Sequence, residues 1–291
     1  MYAWQHRRLR GDAVGADAVQ RSFSTRRVDV QNVSVSVGEA GSGPPALLLH
    51  GIPDTNELWA DTMRALAPSY RCIAPELPDF GESQVTSGNF DWRTDNRAEF
   101  LRALLAALDI QAPIRLIAHD AGGTFGALFL AAHSELVSRA VFAVTTIHPD
   151  FKWHLAARIN RTPVLGELAM AAYEENGFKR IVRRFAGAGY PTAEIDQVYD
   201  RLDGRMKKAI LEFYRGTSRA DYAPWQVKLE SALKRVPTMV VWGALNPGAD
   251  VAMARRSFPG AQMIVYDDVG HWPMIEAPER WRDDVASFLG A

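Results

Sequence analysis

Six continuous apolar runs, separated by stretches with helical periodicity, constrain the fold of this chain most. The runs are 46–49, 72–74, 114–118, 141–144, 239–242 and 263–266. A strand that is covered on both faces shows no alternation of apolar and polar residues, because neither face meets water. Helical patterns lie between the runs, at 57–67, 97–108, 122–132 and 279–289. Strands joined by helices predict an α/β fold with a parallel sheet and helices on both faces.

The regular alternation of strands and helices is interrupted once. Between residues 150 and 225 there is no buried-strand signal, only amphipathic helical patterns such as 164–173 and 205–214. A helical block between two strands of a parallel sheet indicates an inserted cap. We therefore predict three parts. These are an N-terminal extension (1–25), a core (26–149 and 226–291) and a helical cap (150–225).

Charge and composition exclude several function classes. The 291 residues include 33 Lys and Arg against 34 Asp and Glu, without the basic excess that nucleic acid or an anionic membrane favours. No apolar stretch reaches the roughly 18 residues of a membrane-spanning helix, and residues 1–25 are too polar for a secretory leader. The single cysteine, Cys72, excludes an intrachain disulfide. We expect a cytoplasmic protein, monomeric or homodimeric, that acts on a small molecule.

The most informative motif is the segment 116–123, an apolar strand that runs into a tight turn with Asp120 at its tip. The small residues Ala118 and Gly122, two before and two after Asp120, permit such a sharp strand-to-helix turn. The following helix would direct its N–H groups and positive dipole end at the carboxylate. Asp120 alone could equally be a helix N-cap. A second motif, His50-Gly51-Ile52-Pro53, follows a neighbouring predicted strand, and the carboxyl ends of parallel strands are where α/β sheets bind ligands.

With these motifs the chain resembles the α/β-hydrolase superfamily from about residue 27 to the end. Within it, the chain resembles the branch with an aspartate nucleophile, which comprises epoxide hydrolases and dehalogenases. Two further segments are similar to motifs of that branch, namely Asp79-Phe80-Gly81-Glu82-Ser83 and Gly270-His271-Trp272. The resemblance implies the α/β-hydrolase fold, with a mostly parallel central sheet and an inserted helical cap. Neither a cofactor nor a metal is expected.

The resemblance also implies a two-step chemistry. Asp120 would attack a saturated carbon and form an ester, and His271 would deprotonate the water that hydrolyses this ester. The backbone N–H groups of Ile52 and Ala121 would form the oxyanion hole. Further residues are expected to line the substrate pocket: His50, Pro53, His119, Trp153 and Trp272.

Three features distinguish between the chemistries of the branch. Haloalkane dehalogenases carry side-chain N–H donors at the positions of Ile52 and Ala121, and haloacid dehalogenases of the fluoroacetate type carry arginine at the latter. The segment 211–215 is similar to the cap segment that supplies a tyrosine, which implies that Tyr214, with His154, polarises an epoxide oxygen. The favoured function is therefore an epoxide hydrolase that forms vicinal diols through a covalent aspartyl ester. A dehalogenase of small haloacids is the alternative.

The third member of the expected triad is absent. The family's acid position holds Asn246, and the alternative position after the run 141–144 holds two threonines. An amide can orient His271 but cannot stabilise its protonated form, and the equivalent change in a serine triad costs about 10⁴-fold in turnover. Asp250 is the favoured replacement, with Asn246 and Asp150 as alternatives. The missing acid also leaves open a non-hydrolytic homologue that binds a ligand or catalyses a cyclisation or isomerisation.

Overall fold

The computed structural model describes residues 23–172 and 174–290. Its strands are β1 (Ser24–Val30), β2 (Val33–Ala40), β3 (Pro45–Leu49), β4 (Arg71–Pro75), β5 (Gln84–Val85), β6 (Ile114–His119), β7 (Val137–Ala143), β8 (Thr238–Gly243) and β9 (Gln262–Tyr266). They form one sheet in the order β1-β2-β4-β3-β6-β7-β8-β9, and β5 pairs with β2. Strands β4 to β9 along this order are parallel, whereas β2 is antiparallel to its neighbours. The predicted fold class is confirmed.

Twelve α-helices accompany the sheet in the described part of the chain. They are α1 (Ala60–Leu66), α2 (Thr94–Ala107), α3 (Asp120–Ala132), α4 (Leu155–Arg161), α5 (Leu165–Ala171), α6 (Glu175–Phe185), α7 (Thr192–Arg201), α8 (Gly204–Arg215), α9 (Tyr222–Leu233), α10 (Val251–Ser257), α11 (Pro273–Glu276) and α12 (Pro278–Leu289). No helix within the described residues is long and apolar enough to cross a bilayer.

Strand β3 shows why the buried runs lack alternation. Ala46 and Leu48 join the apolar cluster on one face of the sheet, which also contains Trp281 of α12. Leu47 and Leu49 join the cluster on the other face, with helices α2, α3 and α9. Both faces are therefore closed to water, and every residue of β3 is buried.

Helices α4 to α9 lie between β7 and β8, where the sequence predicts the cap. The predicted cap boundary at residue 225 falls inside α9, and α9 packs against α3 with Leu229 in the core cluster. Helix α9 thus belongs to the layer of helices that covers the sheet. Most of the predicted extension, residues 1–22, lies outside the described residues, and β1 begins at Ser24.

Candidate active site

Asp120 stands at a sharp turn between β6 and α3. Its φ of +46° lies in the left-handed region, a strained conformation that is uncommon outside glycine and typical of functional turns. The turn depends on small neighbours. A Cβ on Gly51 would lie 2.5 Å from Asp120 Cβ, and a Cβ on Gly122 would lie 2.2 Å from the carbonyl oxygen of His50. The hydroxyl of Thr145 donates to the Asp120 carbonyl at 2.7 Å and supports the turn from β7.

The two carboxylate oxygens of Asp120 have different partners. Oδ1 accepts the N–H of Ile52 at 3.0 Å, and Oδ2 lies 3.4 Å from Nε2 of His271. Burial alone would raise the pKa of Asp120. The hydrogen bond and charge of His271, the charge of His119 and the Ile52 N–H outweigh burial and hold this pKa below its usual range. In the described part of the chain no Lys or Arg forms an ion pair with Asp120, and its side chain keeps 30% exposure. Asp120 is thus an accessible carboxylate at neutral pH.

His271 lies in the loop after β9 and is oriented by Asn246. Asn246 Oδ1 lies 3.2 Å from His271 Nδ1. The same oxygen accepts the Gly248 N–H at 3.3 Å, and Asn246 Nδ2 donates to the carbonyl of Ala249, which fixes the amide orientation. An amide oxygen can only accept, so Nδ1 donates to Asn246; the neutral ring therefore has its lone pair on Nε2, which donates to Asp120 only when the ring is protonated. This is the tautomer that a general base requires.

The side chain beside Nδ1 of His271 is Asn246 and not Asp250, which corrects the favoured prediction. Asp250 is the N-cap of α10, and its Oδ1 accepts the Met253 N–H at 2.8 Å. Capping satisfies a free N–H of the first helical turn and holds this carboxylate in that bond. The other alternative, Asp150, is exposed and pairs with Arg256 and His148. Neither carboxylate bonds to His271.

A cavity of about 150 Å³ opens above Asp120, between the sheet and the cap. The core side of its wall includes Ile52, Pro53, Asp120, Asn246, His271 and Trp272. The cap side includes Phe151, Trp153, His154, Phe185, Phe213 and Tyr214. Most of this wall is apolar, and within residues 23–172 and 174–290 no three His, Cys, Asp or Glu side chains are grouped to hold a metal ion. The cavity is suited to an apolar small molecule that presents a reactive atom to Asp120.

Two histidines predicted to line this cavity lie behind it instead, which corrects the prediction. His50 is fully buried; its Nε2 accepts the Leu77 N–H at 3.0 Å and its Nδ1 donates to the Gly51 carbonyl at 2.9 Å. His119 is also fully buried, and its Nε2 donates to the backbone carbonyl of His271 at 2.9 Å. Burial lowers the pKa of His50 to about 4, and burial with the neighbouring His271 lowers that of His119 to about 3. Both rings are neutral supports of the loops that carry the site.

His154 and Tyr214 meet on the cap side of the cavity, with their rings edge to face at 6.3 Å. His154 is the N-cap of α4, where its Nδ1 accepts the Ala157 N–H at 3.2 Å. Burial lowers the pKa of His154, so its ring is neutral and its Nε2 carries the proton. Trp153 packs edge to face on Tyr214 at 5.6 Å. The cap therefore brings an imidazole N–H and a phenol to the cavity that contains Asp120.

Asp54, which the sequence analysis did not select, is a buried carboxyl beside the site. Its side chain is 3% exposed, and Oδ2 accepts the indole N–H of Trp272 at 2.9 Å. Burial raises the pKa of Asp54 to about 7 although the Trp272 bond and the charge of His271 oppose the rise. The only sequence signal is an acidic residue directly after the His50–Pro53 motif.

The raised pKa of Asp54 predicts a pH-dependent stability. The folded protein holds this proton more tightly than the unfolded chain, in which the pKa is near 3.8. Asp54 thus stabilises the fold at low pH, and this contribution is lost as the pH rises through about 7. Between about pH 5 and pH 8 the loss is roughly 2 to 3 kcal/mol. Asp54→Asn should remove this part of the slope when unfolding free energies are measured by urea titration across that range. Identical slopes in the two proteins would contradict the burial effect.

A mostly parallel sheet with an aspartate elbow after β6 and a histidine in the loop after β9 is the arrangement of the α/β-hydrolase fold. The family model described as alpha/beta hydrolase fold matches residues 44–182. The cis-3-alkyl-4-alkyloxetan-2-one decarboxylase of Xanthomonas campestris is 26% identical over 92% of this chain and 96% of its own length. Haloalkane dehalogenase 2 of Mycobacterium bovis is 24% identical over 89% and 92%. The Cif epoxide hydrolase of Acinetobacter nosocomialis superposes with a TM-score of 0.79 at 22% identity, over 94% of this chain and 90% of that one. The chain is thus similar to α/β-hydrolases over residues 44–182 in the family model, over most of its length in these relatives, and in its fold.

Proposed function

We propose that this enzyme opens epoxides to vicinal diols through a covalent ester on Asp120. The observation that carries the proposal is the pair of contacts at one carboxylate. Oδ1 of Asp120 already accepts the backbone N–H of Ile52. Oδ2 lies 3.4 Å from Nε2 of His271, beside the apolar cavity. A carboxylate suits displacement at saturated carbon, whereas the serine of other hydrolases suits acyl transfer.

In the first step, Asp120 Oδ2 bonds to an epoxide carbon while the ring C–O bond breaks. The ring oxygen takes a proton from the Tyr214 hydroxyl or from His154 Nε2, both of which belong to cap residues that line the cavity. General acid help of this kind contributes about 10²- to 10⁴-fold. The product of the step is a hydroxyalkyl ester whose carbonyl oxygen is Oδ1.

In the second step, water attacks the carboxyl carbon of Asp120 as His271 Nε2 takes its proton. The negative charge develops on Oδ1, which already accepts the Ile52 N–H. The Ala121 N–H, in the first turn of α3 and without an intrahelical acceptor, is the second donor of this oxyanion hole. The bond from the carboxyl carbon to Oδ2 then breaks as Oδ2 takes the proton from His271, and the diol leaves with this oxygen. The new carboxyl group of Asp120 loses its proton to solvent, and the cap donor regains one from solvent.

Haloacid dehalogenation, the alternative from the sequence, is disfavoured by the cavity wall. A haloacid needs a cation for its carboxylate, because an unpaired buried charge is costly. No described residue of the cavity wall is Lys or Arg. Trp153 Nε1 is buried without an acceptor and offers one donor for a leaving halide, but one donor does not neutralise a carboxylate.

A second candidate, decarboxylation of an oxetan-2-one, is favoured by Asn246. Asp120 would attack the saturated ring carbon that bears the ring oxygen, and the bond between these two ring atoms would break, which frees a carboxylate. Loss of CO₂ would then form a C=C bond and expel Asp120 unchanged. This route hydrolyses no ester and so tolerates an amide beside His271. The Xanthomonas campestris relative carries the name of this reaction.

Product analysis separates these reactions. The purified enzyme is incubated with apolar terminal epoxides, short haloacids and dialkyl oxetan-2-ones, and products are identified by gas chromatography with mass spectrometry and by halide assay. Diol from epoxides is expected. Free halide or alkene with CO₂, in the absence of diol, would replace the proposed reaction by one of the other two.

Replacing Tyr214 by phenylalanine tests the proton donor of the first step. The ring remains to pack on Trp153, so the change removes only the hydroxyl. We expect the rate of adduct formation in single-turnover mass spectrometry to fall about 10- to 100-fold. Tyr199→Phe, in cap helix α7 and outside the cavity wall, is the matched control. Rates within twofold for both Tyr214→Phe and His154→Asn would remove these residues from the step.

A further inference from the structure

We infer that Asp54 is a positioning residue for His271, and that its buried carboxylate supplies the negative charge that the absent triad acid would give to the protonated imidazole. This inference rests on the proposed function, because the imidazolium forms when His271 activates water. It assigns a role to a buried carboxyl group near His271 that the proposed steps do not use.

Asp54 connects the two loops that carry the reacting groups. It lies two residues after Ile52, the donor to Asp120, and its N–H donates to the Gly51 carbonyl at 3.0 Å. Its carboxylate accepts the indole N–H of Trp272, the residue directly after His271. The oxyanion donor and the general base are thus coupled through one side chain.

His119 completes the support beneath His271. Its Nε2 donates to the His271 carbonyl, and the two rings pack edge to face at 4.9 Å. Its Nδ1 is buried without a hydrogen-bond partner and lies 3.9 Å from Asp54 Oδ2. The buried ring of His119 therefore contacts His271 and also lies beside Asp54.

The charges of Asp54 and His271 act on each other across this buried region. Asn246, the only side chain bonded to His271 Nδ1 among the described residues, is neutral. Besides His271, the groups that act electrostatically on Asp54 are Asp120 and Arg201, and Tyr190 lies near enough to be affected by it. Charges interact more strongly in a buried region than in water, so Asp54, once it is ionised above its pKa of about 7, stabilises an imidazolium that it does not touch.

The kinetic test separates the two steps in Asp54→Asn. The amide keeps an oxygen for the Trp272 N–H and removes only the charge. Rapid-quench mass spectrometry with an epoxide substrate should give a rate of adduct formation within threefold of the wild type. Ester hydrolysis should be slower by about 10- to 100-fold, so that adduct accumulates.

Asn246→Asp, which restores an acid at the usual position, should rescue hydrolysis when it is combined with Asp54→Asn. The control is Glu76→Gln, another buried carboxyl group, whose Oε2 accepts the Glu82 N–H at 2.7 Å. Hydrolysis at the wild-type rate in Asp54→Asn would overturn the inference.

A second readout does not depend on turnover. The carboxyl group of Asp54 is titrated by NMR in the wild type and in His271→Gln, and its midpoint should move to higher pH in the variant, because the charge of His271 lowers the pKa of Asp54. An unchanged midpoint would overturn the role of Asp54. If the wild type turns over no epoxide, the proposed function fails, while this titration still decides whether Asp54 supplies charge to His271.

Discussion

Replacing His271 by glutamine is expected to leave the enzyme with a stable covalent adduct on Asp120. Attack on the epoxide uses Asp120 and the cap donors, so the ester still forms. Asp120 remains ionised at pH 7.5 without the help of His271, because an ordinary aspartate has a pKa near 3.9. Hydrolysis loses its general base, which we expect to slow this step by about 10³-fold or more. Intact-mass spectrometry should show the enzyme mass increased by the mass of one epoxide.

The control for this variant is His133→Gln, at the end of α3 and outside the cavity wall. It should turn over epoxide as the wild type does and show no lasting adduct. If His271→Gln forms no adduct with any epoxide that the wild type consumes, the covalent route is wrong. If it forms one and releases it at the wild-type rate, His271 is not the base.

Replacing Asp120 by asparagine is expected to abolish turnover, with a loss of about 10⁴-fold or more. An amide oxygen does not displace an epoxide oxygen, whereas asparagine fits the structural requirements of the site. It tolerates the left-handed backbone at +46° better than most residues, and its Oδ1 can accept the Ile52 N–H. The fold and the affinity for a diol product should therefore be retained within a few-fold. The measurements are steady-state turnover, thermal unfolding and calorimetric binding of the diol.

An Asp120→Asn enzyme that keeps more than about 1% of turnover would contradict the role of this side chain. The same holds for a variant that binds no diol although it unfolds as the wild type does, because the carboxylate would then serve binding instead of bond formation. Asp120→Ala is the less informative change. It removes the acceptor of the Ile52 N–H and places alanine in a left-handed conformation that it disfavours.

The sheet could be predicted because burial on both faces leaves a signal in each strand. In β3, successive side chains enter opposite apolar clusters, so the run is continuous. Strand β1 leaves no such signal because it is an edge strand whose first four residues are exposed. Helix α10 was not predicted either, because its seven residues are too few for a clear helical period. The predicted helix at 57–67 is a 3₁₀ turn followed by α1, since Trp59 ends one element and Ala60 begins the next.

The site was predictable where a residue directly follows a strand. Asp120 and Ile52 come together because β6 and β3 are parallel neighbours. The direction of a side chain is not encoded in this way, so His50 and His119 could not be distinguished from pocket residues by position alone. Asp54 was missed because burial behind His271 depends on contacts with Trp272, which is 218 residues away in the chain.

The most direct measurement is a single turnover of an epoxide by excess enzyme in water enriched in ¹⁸O. If Asp120 forms the ester, the first diol carries an unlabelled oxygen from the enzyme, and the label is found in the carboxylate of a peptide that contains Asp120. If water attacks the epoxide directly, the first diol is labelled and the peptide is not, and the covalent role of Asp120 is contradicted.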